Sequence, residues 1–129
     1  MKIFLKSFWP ALLWVAFILL LIGIPGTDLP DVDVWKIDIE DKLAHIAVFS
    51  VLAILSVRGI HKLKPSAVST ADLMLVAIIG IAYGGLTELL QDWIFPSRYA
   101  SITDFIADAI GMILGTLFAN WYFVKQSNQ

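Results

Sequence analysis

The chain has 129 residues, of which 59% are hydrophobic and 16% are charged, and its net charge is −2. Soluble globular domains are about 45–50% apolar and about 25% charged, and a soluble core of this size cannot bury so much apolar surface. The lack of cysteine excludes disulfide frameworks, thiol nucleophiles and cysteine-ligated metal sites. A sequence pI of about 5.5 gives no support to nucleic-acid binding. We therefore expect a protein that sits in lipid.

Four apolar stretches are long enough to cross a bilayer, since about 20 helical residues at about 1.5 Å each span about 30 Å of hydrocarbon. In chain order they cover residues 8–24, 42–58, 73–95 and 102–124. Breakers follow the first three, at Pro25, Gly59 and Pro96. The sequence predicts an all-α integral membrane protein, a single domain over residues 1–129 that forms a four-helix bundle. The first stretch lacks the cleavage pattern of a signal peptide, so we expect it to stay as a helix.

Charges are divided unevenly between the segments that flank these stretches. The first connecting loop holds six acidic and two basic residues. The amino-terminal segment, the second loop and the tail together hold one acid, Asp72, and six basic residues, namely Lys2, Lys6, Arg58, Lys62, Lys64 and Lys125. By the positive-inside rule, we expect both termini in the cytoplasm and the acidic first loop outside.

Polar residues that are unusual in a membrane span gather at the predicted outer ends of the last three helices. In each of these helices two polar residues are three or four positions apart, so both side chains project from the same side. An ionisable group that faces lipid costs about 3 kcal/mol, so we expect these pairs to face the interior and to form a pocket that opens outward. The predicted pocket residues are Asp41, Lys42, His45, Glu88, Gln91, Arg98, Asp104 and Asp108.

Small residues continue the polar sides of the last two helices. Stripes of this kind let helix backbones approach closely. We expect the two stripes to face each other, which places Glu88 across one seam from Asp104 or Asp108. His45 and Arg98 are then expected above them. The predicted packing residues are Gly80, Gly84, Gly111 and Gly115.

An ordered set of motifs accompanies this pattern. The sequence contains DKLAH at residues 41–45 and GGLTELLQDWIFPSRYASITDFIADAIGMILG at residues 84–115. This order of D-K-x-x-H, E-x-x-Q, an aromatic-Pro-x-Arg turn, an aspartate and G-x-x-x-G resembles the VanZ-like family of bacterial membrane proteins. One departure is Asp108, where the family usually has asparagine. The resemblance implies a small multi-pass protein of the bacterial cytoplasmic membrane, similar to one linked to low-level resistance to the glycopeptide teicoplanin.

The leading functional hypothesis is a pocket for an amphiphile of the outer leaflet. Such a site would bind or modify a lipid, a lipid-linked wall precursor or a glycopeptide, in an envelope or antibiotic-resistance role. Arg98 and Lys42 can contact a phosphate or carboxylate, Arg98 in bidentate geometry. The residues leave open whether the site is catalytic; as general acids or bases, the candidates are His45, Glu88 and Asp104.

Two alternatives remain open. In the first, the polar cluster only ties the helices together, in a structural or regulatory membrane protein. In the second, the chain is a metal-dependent lipid-phosphate enzyme. The sequence contains no metal-binding spacing such as H-E-x-x-H, so no cofactor is predicted. Oxygen ligands together with His45 can nevertheless hold a divalent cation. The oxygen ligands would come from Asp41, Glu88, Asp104 and Asp108.

Overall fold

A computed structural model of the chain describes residues 1–23, 34–94 and 100–125. Throughout these ranges the elements are helices: α1 (Lys2–Ile22), α2 (Val34–Leu63), α3 (Thr70–Ile94) and α4 (Ile102–Ala119), which continues as a π-helix (Asn120–Lys125). Four helices are long and apolar enough to cross a membrane. The prediction of an all-helical chain with four helices of spanning length is confirmed.

Helix α2 is longer than predicted at both ends. It begins at Val34, before Lys42, and it continues past Arg58 to Leu63. Ending the helix at residue 58 was therefore wrong. Gly59 is buried in the helix, and a Cβ there would lie 2.7 Å from the Phe8 ring of α1. Gly59 therefore allows α2 to pack closely against α1, and it does not end the helix.

The starts of α3 and α4 are built from short polar side chains. The Asp72 N–H donates to Ser69 Oγ over 3.2 Å, and the Ser69 N–H donates to Asp72 Oδ2 over 2.9 Å. This reciprocal pair satisfies two donors that the first turn of a helix otherwise leaves unpaired. At α4 the N-cap is Ser101, whose hydroxyl oxygen accepts from the Asp104 N–H over 3.2 Å.

The most extensive contact in the bundle joins α2 and α4. A Cβ on Gly111 would lie 2.5 Å from the Ile46 carbonyl oxygen, and one on Gly115 would meet the Ser50 carbonyl oxygen. Ser50 Oγ also donates to the Gly111 carbonyl over 3.0 Å. The two backbones are thus close enough that only glycine fits at these α4 positions.

The expected packing of one glycine stripe against the other was wrong. The glycines of α4 face α2, whereas those of α3 face other residues of α4. A Cβ on Gly84 would lie 3.0 Å from Asp108, and Gly80 is covered by the side chain of Met112. The cause is that positions 108 and 112 lie on a face of α4 adjacent to the face that carries its glycines.

Helix α1 packs mainly on α2 and has little contact with α3, and in the described part of the chain side-chain hydrogen bonds join it to both. Trp14 Nε1 donates to the Val48 carbonyl of α2 over 2.9 Å, and the Tyr83 hydroxyl of α3 donates to the Val15 carbonyl over 2.9 Å. The buried apolar core lies mainly between α1, α2 and α4. Its members with less than a tenth of their surface exposed include Ile18, Phe49, Leu52, Ala53, Val57, Met112 and Ala119.

The antiparallel helices give the bundle two chemically different ends. We call the end at which α1 and α3 finish and α2 and α4 begin the acidic end, defined by Asp41, His45, Glu88, Gln91, Asp104 and Asp108. The opposite end, the basic end, is defined by Lys2, Lys6, Lys62, Lys64 and Asp72.

Candidate binding site at the acidic end

The centre of the site is a contact between α2 and α4. His45 Nδ1 lies 2.8 Å from Asp108 Oδ1, and the Asp108 side chain is 0% exposed. One turn further along α4, the contact of Gly111 with the Ile46 backbone brings the two helices close enough for this pairing. The same close approach therefore places a carboxyl group in the interior and gives it an imidazole partner.

Glu88 of α3 adds a second buried carboxyl group. Its residue surface is 4% exposed, and its Oε2 accepts a hydrogen bond from the Ser101 N–H over 2.9 Å. The start of α4 thus orients this side chain. One ligand-type atom from each of His45, Glu88 and Asp108 lies within 4.8 Å of the other two. We call these three residues the buried cluster.

More polar groups surround the other nitrogen of the imidazole ring. Asp41 Oδ2 lies 4.0 Å from His45 Nε2, and the Asp41 side chain is half exposed. Asp41, His45 and Asp104 form a second group of atoms within 4.8 Å of one another. Lys42, the next residue in α2, is half-buried. His45 therefore stands between a buried carboxyl group and an accessible one.

The buried cluster is only partly hydrogen-bonded. Within the described ranges, Glu88 Oε1 and Asp108 Oδ2 are buried and have no hydrogen-bond partner. More than about 90% of buried polar groups in proteins are hydrogen-bonded, and an unmet buried group costs about 1–3 kcal/mol. The two oxygens are acceptors that a ligand's donor or a cation can satisfy.

A cavity of about 180 Å³ reaches this cluster between α1, α2 and α3. Its polar side includes Asp41, His45, Glu88 and Gln91, and its apolar side includes Ile18, Leu21 and Ile22 of α1. Thr87 also lines it, but its hydroxyl donates to the Gly84 carbonyl of its own helix over 2.7 Å. The cavity is thus amphipathic, with a polar floor against α2 and α3 and an apolar wall on α1.

A second cavity, of about 480 Å³, lies further along the same gap between α1 and α3. Its lining is almost wholly apolar and includes Phe8, Leu12, Val76 and Met112. The hydrogen bond from Tyr83 to Val15 stands between the two cavities. The two cavities are therefore separate in this structure, and both border the gap between α1 and α3.

The structure brings most of the predicted pocket residues together. Five of them, Asp41, His45, Glu88, Asp104 and Asp108, share the two groups of ligand-type atoms. Gln91 lines the cavity, and Arg98 lies outside the described residues. Of the catalytic candidates, His45 and Glu88 belong to the buried cluster, and Asp104 lies beside Asp41.

Sequence reasoning missed two contributions to the site. Ser101 orients Glu88, and its position three residues before Asp104 is a capping signature that could have identified it. The wall formed by Ile18, Leu21 and Ile22 had no such signal, because apolar residues that line a cavity and apolar residues that face lipid have the same sequence pattern.

Comparison with known proteins agrees with the motifs and the fold. A family model described as VanZ/LLP1 matches residues 3–123, so the match extends the resemblance to α1 and to the end of α4. No curated protein and no solved structure matches the chain. With four apolar helices and this match over nearly its whole length, the chain is a multi-pass membrane protein that belongs to the VanZ/LLP1 family.

Proposed function

We propose that the chain binds the polar head of an outer-leaflet amphiphile in the cavity at the acidic end. The observation that carries this proposal is the division of that cavity into a polar floor and an apolar wall. The floor offers carboxyl, imidazole and amide groups to a head group. A separate apolar cavity lies further along the same gap, beyond the hydrogen bond between Tyr83 and Val15, and it suits a hydrocarbon chain.

The charge of the floor narrows the class of head group. Asp41 and Glu88 border the cavity beside His45, so the floor is richer in acceptors than in donors. Hydroxyl and amide donors, which are abundant in a lipid-linked wall precursor or a glycopeptide, complement such a floor. Lys42, the next residue of α2, does not line the cavity, so it is not part of the proposed contact with the head group.

The proposal requires the acidic end to face outward in the bacterial cytoplasmic membrane. The excess of basic residues at the opposite end supports this orientation. Single cysteines at Thr27, in the acidic first loop, and at Ser66, in the turn between α2 and α3, test it with a membrane-impermeant maleimide. In intact cells Thr27→Cys should be labelled and Ser66→Cys should not. Labelling of Ser66→Cys alone would reverse the orientation.

A cavity-filling variant tests binding itself. Ile22 lines the cavity and is 8% exposed, whereas Leu20 of the same helix is 72% exposed and does not line it. Native mass spectrometry of the purified wild-type chain should show a retained amphiphile. We expect Ile22→Trp to lose at least about tenfold of this ligand and Leu20→Trp to keep it. Equal retention in the three proteins, or a wild type without ligand, would contradict the proposal.

The structural alternative makes a different prediction from the same residues. If the buried cluster only tied α2, α3 and α4 together, filling the cavity would leave retained lipid unchanged, while loss of a cluster residue would reduce stability alone. The two readouts, ligand retention and unfolding, therefore separate a binding role from a purely structural one.

A further inference from the structure

We propose that His45, Glu88 and Asp108 form a binding site for one divalent transition-metal ion, Mn²⁺ or Zn²⁺. The three side chains come from α2, α3 and α4, and a ligand-type atom of each lies within 4.8 Å of the other two. Metal–ligand distances of about 2.0–2.2 Å place the ligands of one ion up to about 4 Å apart. Small side-chain movements are enough to close this cluster around an ion.

The types of ligand decide which ions suit the site. Two carboxyl groups and one imidazole form a mixed oxygen and nitrogen set. Ca²⁺ and Mg²⁺ prefer oxygen ligands only, whereas imidazole suits transition metals, and Zn²⁺ accepts both histidine and carboxylate ligands. His45 therefore favours Mn²⁺ or Zn²⁺ over the two alkaline-earth ions.

The unmet oxygens point to a ligand of positive charge. Glu88 is 4% exposed and Asp108 is 0% exposed, and each keeps one buried oxygen without a hydrogen-bond partner in the described part of the chain. A divalent ion balances the charge of two carboxylates and uses oxygens that the protein itself leaves unpaired. Helix packing alone explains neither the burial of two carboxyl groups side by side nor their unpaired oxygens.

The surroundings orient the three ligands as they do in known metal sites. The Ser101 N–H donates a hydrogen bond to Glu88 Oε2 over 2.9 Å. Asp41 faces His45 Nε2 at 4.0 Å, while Nδ1 points into the buried cluster. In known sites a carboxylate hydrogen-bonded to the outer nitrogen of a metal-binding histidine fixes the ring and its tautomer, and Asp41 would have to move about 1 Å closer to form that bond. Gly84 leaves the space that the Asp108 carboxyl group occupies.

The ion would be accessible from the acidic end. His45 and Glu88 both line the cavity of about 180 Å³, so an ion held by them would be within reach of a ligand in that cavity. A phosphate oxygen of such a ligand could then complete its coordination. This last step rests on the proposed function, whereas the metal site does not.

Titration with metal alone tests the site. The detergent-solubilised chain is stripped with a chelator, and Mn²⁺ binding is followed by electron paramagnetic resonance, with Zn²⁺ as competitor. We expect one Mn²⁺ per chain, displaced by Zn²⁺. Glu88→Gln and His45→Gln should weaken binding by at least about 100-fold. The matched control is Asp92→Asn, an exposed carboxyl group at the same end that lies outside the cluster, and it should bind as the wild type does.

If a substitution of Glu88 or His45 prevents folding, the Asp41→Asn variant still tests the metal site. Asp41 is half exposed, so this variant should fold normally, and it should weaken Mn²⁺ binding by about 10-fold by loosening the ring of His45. A wild-type chain that binds neither Mn²⁺ nor Zn²⁺ would overturn the proposal. Equal affinity in the Glu88→Gln variant, once it is shown to be folded, would also overturn it.

Lipid retention before and after stripping separates the two proposals. Stoichiometric Mn²⁺ binding without any retained amphiphile supports the metal site and contradicts the proposed function. Retention of an amphiphile by a chain that binds no metal supports the proposed function and contradicts the metal site. If both bind and stripping releases the amphiphile, the ion contributes to holding the head group.

Discussion

The carboxyl groups at the two ends of the bundle have different surroundings. At the basic end, Asp72 Oδ1 accepts from Lys64 Nζ over 2.7 Å, and Oδ2 accepts from the Ser69 N–H and the Ser69 hydroxyl, each over 2.9 Å. At the acidic end, Glu88 and Asp108 are buried, and each has one hydrogen-bonded oxygen and one unpaired oxygen in the described part of the chain.

This difference separates the carboxyl group that caps a helix at the surface from the two that are buried inside the bundle. Asp72 lies in the first turn of α3, where a carboxylate caps the helix and complements its dipole. Its partners, Lys64 and Ser69, are close in sequence. Glu88 accepts from the N–H of Ser101, the N-cap of α4, so one of its oxygens satisfies the start of that helix, whereas Asp108 lies well inside α4 and depends on a residue of another helix. The Asp72 cap is therefore structural, whereas the unpaired oxygens of Glu88 and Asp108 are the groups that the two proposals assign to a ligand.

The largest expected effect comes from removing the buried partner of His45. Asp108→Ala should lower the free energy of unfolding by about 2–3 kcal/mol, because it removes a hydrogen-bond partner of His45 and leaves a cavity where a fully buried side chain was. Asp72→Ala removes exposed contacts and should have a much smaller effect. Unfolding of both variants in mixed micelles, followed by circular dichroism, measures the two changes. Equal losses would remove the distinction between the two ends.

The second prediction compares glycines near the two ends. Gly111 lies against the Ile46 backbone, which cannot move alone, whereas Gly59 lies against the ring of Phe8, a side chain that can turn away. Gly111→Ala should cost about 1–3 kcal/mol of unfolding free energy by overpacking, and Gly59→Ala should cost less. The same unfolding measurement applies. A larger loss for Gly59→Ala would mean that α1, and not α4, makes the tighter contact with α2.

The sequence predicted more of the elements than of their contacts. Apolar length was enough to identify four helices, and helical spacing was enough to put Asp104 and Asp108 on one side of α4. Gly59 was misread as a breaker because a glycine's weak helix propensity is overridden when a bulky ring packs against it. Spacing also cannot say which neighbour a face meets, so the Gly111 stripe was assigned to α3 when it packs on α2.

The site was predictable where polar residues mark it. Ionisable side chains in a span are expensive in lipid, so Asp41, His45 and Glu88 could be selected without a structure. The pairing of His45 with Asp108 depends on how closely α2 and α4 approach, which no local pattern gives. The place of Arg98 stays a prediction, since it lies outside the described residues.

The smallest effect is expected from a substitution that keeps the shape of Asp108. Asp108→Asn retains an oxygen that can accept a hydrogen bond from His45 and introduces the residue usual in the resembling family. It should fold and lose about 1 kcal/mol of unfolding free energy, and it should bind Mn²⁺ more weakly, because an amide brings no charge to the ion. A loss as large as that of Asp108→Ala would show that the charge of this carboxyl group, and not its shape, stabilises the bundle.

The central claim is that the carboxyl groups of the acidic end serve a bound ligand. Native mass spectrometry of Glu88→Gln and of Asp92→Asn, an exposed carboxyl group that lines neither cavity, purified in parallel with the wild type, tests it most directly. We predict that the wild type and Asp92→Asn retain the same amphiphile to the same extent, while Glu88→Gln retains at least about tenfold less although it stays monodisperse. Full retention by a folded Glu88→Gln variant, or an equal loss in Asp92→Asn, would contradict the claim.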